Sequence, residues 1–129
     1  MFFKINPSNG TPVYEQVVNQ VIFAIASGVL ESGEMIPSVR QLSQELAINP
    51  NTVARAYREL QDFGAVLSIR GSGMQVATGI RKRCITERNS NIQTQINSLI
   101  EQARQSQMSD DEILACVKKQ LSKKRSKKS

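Results

Sequence analysis

The sequence predicts a mainly α chain with a small β-hairpin, and three features of its 129 residues lead there. Residues 37 to 60 hold two short helical patterns, each with its own start signal and a tight break between them. A Gly-rich hairpin pattern follows at once, over 65 to 77. Beyond residue 91 come two more amphipathic patterns, too few to bury a core by themselves.

Taken in order, Thr11 and Pro12 open the first helix, and Tyr14, Val17, Val18, Val21, Ile22 and Ile25 form its apolar stripe before Gly28 closes it. That stripe is wide enough to back both later helices. Val29 to Pro37, punctuated by Gly33 and Pro37, carries the chain over to Ser38. Ser38 with Gln41 makes a capping box, and Asn49 before Pro50 reads as N-cap and first helical position. Two helix starts so close together leave room for one short helix between them. In the second of the pair, Val53, Ala56, Tyr57 and Leu60 stand at i, i+3, i+4 and i+7, which buries them and turns Asn51, Arg55 and Arg58 outward. Arginine and asparagine are the side chains that pair bidentately with guanine and adenine edges in the major groove. Periodicity alone fits a plain solvated amphipathic helix equally well.

The neighbours bear on that choice. Gly64 ends the helix, Ala65 to Ile69 form an apolar strand, Arg70 to Gly73 turn, and Met74 to Ala77 return. A hairpin directly behind such a helix is a wing, whose glycines let backbone approach a phosphate closely while Arg70 supplies charge. Turn glycines are also what any hairpin needs. Together the patterns predict a winged helix-turn-helix followed by a two-helix C-terminal dimerisation segment.

Residues 11 to 77 resemble the winged-helix DNA-binding domain of the GntR family of bacterial transcription regulators. The shared marks are Pro12 to Val17, Ser27 to Arg40, Asn49 to Leu60 and the Arg70 to Gly73 wing; Met35 and Ile36 depart from the family pattern, at no contact position. By position, the resemblance implies DNA contacts from Ser38, Arg40, Asn49, Asn51, Thr52, Arg55, Arg70, Gly71 and Ser72. The outward face of the second helix adds Arg58 to these.

Domain boundaries follow the composition: a winged domain over 1–78, a charged connector over 79–91, a two-helix segment over 92–122 and a basic disordered tail over 123–129. In the third piece Ile92, Ile96, Leu99, Ile100 and Ala103 make one stripe. Ser109 to Glu112 form a capping box that starts a further helix bearing Ile113, Leu114, Val117 and Leu121. These helices need a partner surface. A second copy is the better fit, because helix-turn-helix proteins bind as two-fold dimers with recognition helices about 34 Å apart; packing back on the winged domain is the alternative. The short tail resembles the YtrA group of the family, whose members lack a large effector domain. Any small effector would then bind at the dimer interface or beside the tail, and there may equally be none.

Charge is unevenly distributed. Residues 1–80 hold five basic and six acidic side chains, a balance of −1, while the rest hold twelve and five, a balance of +7. Four of the first five, Arg40, Arg55, Arg58 and Arg70, fall on the motif helices and wing, where phosphates and base edges would lie. The basic run from Lys118 to Lys128 reads as solvated, with some salt-sensitive attraction to DNA.

Enzymatic chemistry finds no support: there is no histidine, no Cys-x-x-Cys pair, no phosphate loop, and no catalytic, metal or cofactor site is expected. Cys116 is expected to pack near the apolar stripe of its helix, and Cys84, among Arg81, Lys82 and Arg83, offers a minor alternative as a thiol of lowered pKa. No apolar stretch is long enough to span a membrane and no secretory signal is present, which points to the cytoplasm. The expected function is a sequence-specific transcription regulator, a homodimeric repressor binding double-stranded DNA at an inverted-repeat operator. The alternatives are an architectural nucleic-acid-binding protein whose affinity comes from the basic tail, and a winged helix used only for protein contacts.

Overall fold

The computed structural model of the chain describes residues 3–8, 10–70 and 73–128, with side chains through Lys123. It divides into two compact units, residues 1–89 and 90–129. The first unit holds α1 (Val13–Ser27), β1 (Met35–Ile36), α2 (Val39–Leu46), α3 (Pro50–Phe63), β2 (Val66–Ile69) and β3 (Gly73–Val76). The long α4 (Arg81–Gln105) begins there and continues into the second unit, which also contains α5 (Asp110–Lys128).

The core of the first unit forms where the apolar stripes of α1 and α3 meet. Val17, Val21, Val53, Ala56, Leu60 and Leu42 are fully buried in it, and Tyr57 nearly so. Two glutamines one turn apart lace the N-terminal segment onto α1. Gln16 accepts from the Asn6 amide at 2.8 Å and donates to the Asn6 carbonyl at 2.8 Å, and Gln20 does the same for Lys4 at 2.9 and 2.7 Å. Buried amides need such partners, so the pairing holds the segment in place. The first helix starts at Pro12 with no side-chain cap, and its end at Gly28 is as the sequence suggests.

Both motif helices start as their cap signals indicate. Ser38 and Gln41 exchange bonds at 3.1 and 3.0 Å, and Asn49 Oδ1 accepts from the Asn51 amide at 2.8 Å. Their ends share one device. Gly64 N–H donates to the Gln61 carbonyl and Ala65 N–H to that of Leu60, while Ala47 N–H donates to Gln44 and Ile48 N–H to Ser43. These paired bonds make a Schellman motif at each C-terminus. At α2 the left-handed position is held by Ala47, with φ of 54°, and this is the turn of the helix-turn-helix.

The sheet has three strands where the sequence suggested a hairpin alone. Its order is β1-β3-β2, all antiparallel, with Ile36 opposite Met74 and Val66 opposite Val76. The pair Met35–Ile36 is too short to show a period, and its strand character comes from the ladder β3 offers it.

The segment expected as a connector, 79–91, is helical from Arg81 onward. Cys84 is fully buried in the core, with Ile80 and Ile85 packed against it. Two arginines on this first turn serve the helix ends beneath them. Arg81 Nε donates to the Ala26 carbonyl at 3.2 Å, and Arg83 Nη1 to the Phe63 carbonyl at 2.6 Å, with its guanidinium 4.2 Å from the Phe63 ring centroid. Neither α1 nor α3 has a basic residue in its own last turn. α4 supplies the positive charge that those C-terminal carbonyls attract.

In the second unit, Ser109 and Glu112 form the anticipated capping box, at 2.9 and 3.2 Å. The hydrogen bonds from Ser109 hold the Glu112 carboxyl below its ordinary pKa. The backbone is helical as far as Lys128, where a disordered tail was expected. Within 90–129 the two helices do not pack side by side. Consequently Ile92, Ile96, Leu99, Leu114, Val117 and Leu121 stand 42 to 62% exposed. Ile100 and Ile113 are half-buried.

Ala47 carries a conformation that glycine adopts without steric cost, and its side chain is exposed. Ala47→Gly should therefore stabilise the protein by about 0.5–1 kcal/mol, seen as a thermal midpoint raised by about 2–5 °C.

Candidate nucleic-acid interface

The candidate interface is built from the starts of two helices and the base of the hairpin. Tyr57, on the buried face of α3, donates its hydroxyl proton to the Pro37 carbonyl at 2.7 Å. Burial, reinforced by nearby Glu45, holds that hydroxyl far above the usual phenol pKa, so it stays a donor at every physiological pH. The bond sets the start of α2 against α3. From the other side comes Gly73, whose φ is +94°; a β-carbon there would stand 3.3 Å from the Ile36 carbonyl oxygen and 3.4 Å from the Ser38 nitrogen. Only a glycine lets the hairpin approach so closely.

The approach leaves an open polar cleft of about 660 Å³ between the start of α2 and the hairpin, lined by Ser38, Val39, Gln41, Ser68, Arg70 and Gly73. Two of the expected contact residues, Ser38 and Arg70, meet there from distant parts of the chain. The capping box occupies the Gln41 amide, which leaves the Val39 and Arg40 N–H groups as first-turn donors for an anion. Ser38 Oγ accepts the cap bond, and its own proton remains available.

The other expected residues lie on or beside α3. Asn49 is the N-cap, its oxygen occupied by Asn51 N–H and its side-chain amide still a donor. Asn51 is exposed and Thr52 half-exposed in the first helical turn, and Arg58 is exposed one face along. Arg55 is exposed too, but its guanidinium carbon lies 3.7 Å from the centroid of the Tyr14 ring. Arg40 is exposed in the first turn of α2. Gly71 and Ser72, the expected wing tip, lie outside the described residues, as do the side chains of the tail beyond Lys123.

Electrostatics favour an anionic partner. Among the described residues the ion pair found is Arg104 with Asp110, at 3.2 Å. Arg40, Arg55, Arg58 and Arg70 thus carry charge that no carboxylate neutralises in the described structure, although residues 1–80 as a stretch balance at −1. Such a cluster binds phosphates by releasing their condensed counterions.

Sequence reasoning missed the anchoring role of Tyr57, which looked like one more core residue, and the contact of Arg55 with Tyr14. The thiols differ in outcome. Cys84 is buried and its pKa is raised by that burial, against the opposing pull of Arg83 and with Glu87 adding to the rise, which removes the alternative of a lowered pKa. Cys116 is exposed, not packed.

A helix-turn-helix with a hairpin seated against the start of its first helix defines a winged-helix DNA-binding protein. The comparisons with known proteins agree: the chain belongs to the bacterial regulatory proteins of the gntR family, whose model matches residues 13–76, and it is a DNA-binding transcriptional regulator. It is 33% identical over 97 residues to the HTH-type transcriptional repressor YtrA of Bacillus subtilis, covering 75% of each chain. Among solved structures, a GntR family transcriptional regulator from Listeria monocytogenes matches with a TM-score of 0.70 at 31% identity, covering 87% of this chain and 97% of that one. YtrA from Sulfolobus acidocaldarius, a GntR-family transcription factor, matches with a TM-score of 0.56 at 31% identity, covering 93% and 97%. A match covering 93% of this chain takes in residues of both C-terminal helices, and the chain is YtrA-like within the family. No described helix is long and apolar enough to cross a membrane.

Two measurements test this geometry. Tyr57→Phe leaves the Pro37 carbonyl without its donor and should cost about 1–2 kcal/mol in denaturant titration, with weakened DNA binding at temperatures where the variant is folded. A thiol titration of the native protein should show one fast site, Cys116, and a second that reacts only on unfolding; two fast thiols would contradict the burial of Cys84.

Proposed function

We propose that the protein is a dimeric repressor that binds an inverted-repeat operator, with α3 in the major groove and the hairpin against adjacent backbone. The observation that carries the DNA side is the set of four arginines, Arg40, Arg55, Arg58 and Arg70, without carboxylate partners in the described structure. Ser38, Asn49, Asn51, Thr52, Gly71 and Ser72 complete the proposed contact set, the first two also serving as helix caps.

The dimer rests on the exposed apolar stripes of the second unit. Ile92, Ile96 and Leu99 on α4, and Leu114, Val117 and Leu121 on α5, leave large side chains in water that association would remove. Ile100 and Ile113 flank these stripes. Repression is inferred from the similarity to YtrA of Bacillus subtilis, described as a repressor. Blocking polymerase needs only occupancy of a site, which suits a chain of this size. The cytoplasm is the proposed location, since that is where the DNA is.

Selection from a random duplex library, with full-length protein and with a version lacking residues 118–129, tests the reading. A palindrome enriched by both supports it; binding without enrichment that vanishes with the tail favours the architectural alternative, for which the +7 balance of residues 81–129 speaks. On the selected operator, Arg55→Ala should cost about 1–3 kcal/mol and relax preference at one base position, whereas loss of Lys118 should weaken all duplexes alike. Replacing Leu99 and Leu114 with serine should yield a monomer in sedimentation and lower operator affinity; a variant that stays dimeric would move the interface elsewhere.

A further inference from the structure

Arg55 does not extend freely from α3. Its guanidinium lies face-on to Tyr14, 3.7 Å from the ring centroid, although Tyr14 belongs to α1, on another element of the unit. The ring is well placed to hold it. Tyr14 is half-buried and packed against the core, and its hydroxyl donates to Glu15 at 3.3 Å. α1 and α3 are themselves joined along their buried stripes, so ring and arginine are carried on elements that move together.

The geometry of a guanidinium makes this contact compatible with base reading. Stacking uses the face of the group, while its five N–H donors lie in the plane and remain available at the edge. A neutral ring also leaves the charge of the cation above it uncompensated, whereas a carboxylate partner would offset it. An unrestrained arginine must surrender several rotatable bonds when it docks on a base pair, and one already stacked surrenders fewer.

Building on the proposed readout by Arg55, we propose that Tyr14 is a positioning residue for DNA recognition: its ring holds the Arg55 guanidinium in the orientation from which it pairs with a guanine edge, so that α1 shares in setting base preference. The loss of the ring then reduces discrimination at the Arg55 base pair more than it reduces affinity for DNA at large. A ring serving stability alone, or a Tyr14 hydroxyl touching a phosphate, would act on every duplex equally.

The test is a double-mutant cycle of Tyr14→Leu and Arg55→Ala, with Tyr14→Phe as the conservative control. Binding is measured on the selected operator, on the operator changed at the Arg55-dependent base pair, and on a random duplex. Tyr14→Phe keeps the ring and should stay within about twofold of the unmodified protein. Tyr14→Leu should lower the preference for operator over changed operator by about 3- to 10-fold, leave random-duplex affinity unaltered, and have no further effect once Arg55→Ala is present. Additive losses, or equal losses on all three duplexes, overturn the proposal. If Arg55→Ala is itself silent on preference, the underlying reading of Arg55 falls and the proposal with it, a pattern distinct from an active Arg55 that is uncoupled from Tyr14. Should Tyr14→Leu fail to fold, 4-cyanophenylalanine at position 14 keeps the ring volume while drawing charge off its face. A preference equal to that of Tyr14→Phe then overturns the proposal, and a reduced one supports it.

Discussion

The Tyr57 hydroxyl reaches a carbonyl twenty residues back in the chain, that of Pro37, and the arrangement of the candidate interface depends on that 2.7 Å bond. A phenol buried among aliphatic side chains needs a partner, and here the partner is the backbone just before α2. One side chain of α3 therefore determines where the first turn of α2 stands, and with it Ser38 and Arg40. Gly73 brings the hairpin against the same backbone from the other side, so the cleft between Ser38 and Arg70 is a product of two tight contacts. The candidate contact side chains thus stand on a frame fixed by its own packing and hydrogen bonds.

Much of this frame was legible in the sequence. α1, α2 and α3 announced themselves because their signals are local: a stripe of spacing 3.6, a capping box at Ser38, an Asn49 before Pro50, a glycine after each long helix. What escaped notice depends on partners far along the chain. Met35 and Ile36 form a strand because β3 lies beside them. The run from 79 to 91 looked like a solvated connector because its few apolar residues, Ile80, Cys84 and Ile85, make a stripe too narrow to see among so many charges. The turn after α2 lacks the glycine that usually marks a left-handed cap. The cations next to Cys84 in sequence left a lowered thiol pKa open as an alternative, while burial raises it. In the same way Tyr14 was legible as core and Arg55 as surface, but the contact between them crosses two helices.

Charge in this protein is best understood by where it is occupied. Arg81 and Arg83 are exposed yet committed to the carbonyl ends of α1 and α3, so they belong to the architecture of the first unit more than to any reservoir of attraction for DNA. Of the other arginines of that unit, Arg40, Arg55, Arg58 and Arg70 lie on the motif helices or at the hairpin, and Arg88 on α4 bonds to the neighbouring Asn89. Positive charge without carboxylate partners on the motif helices and at the hairpin steers a nucleic acid toward that region.

Cys84 has a bearing on how the protein is made. It is fully buried in the core of the first unit, yet it follows the entire winged motif in the chain. During synthesis, which delivers the N-terminal end first, a nascent chain ending at residue 78 has every helix and strand of the motif but an unfilled place in its core and two helix C-termini without the arginines that bond their carbonyls. The reading head becomes complete only once the first turn of α4 leaves the ribosome. Birth of the DNA-binding unit is thereby tied to the arrival of the helix that leads to the second unit, and a chain cut short by premature termination lacks the piece that closes the first.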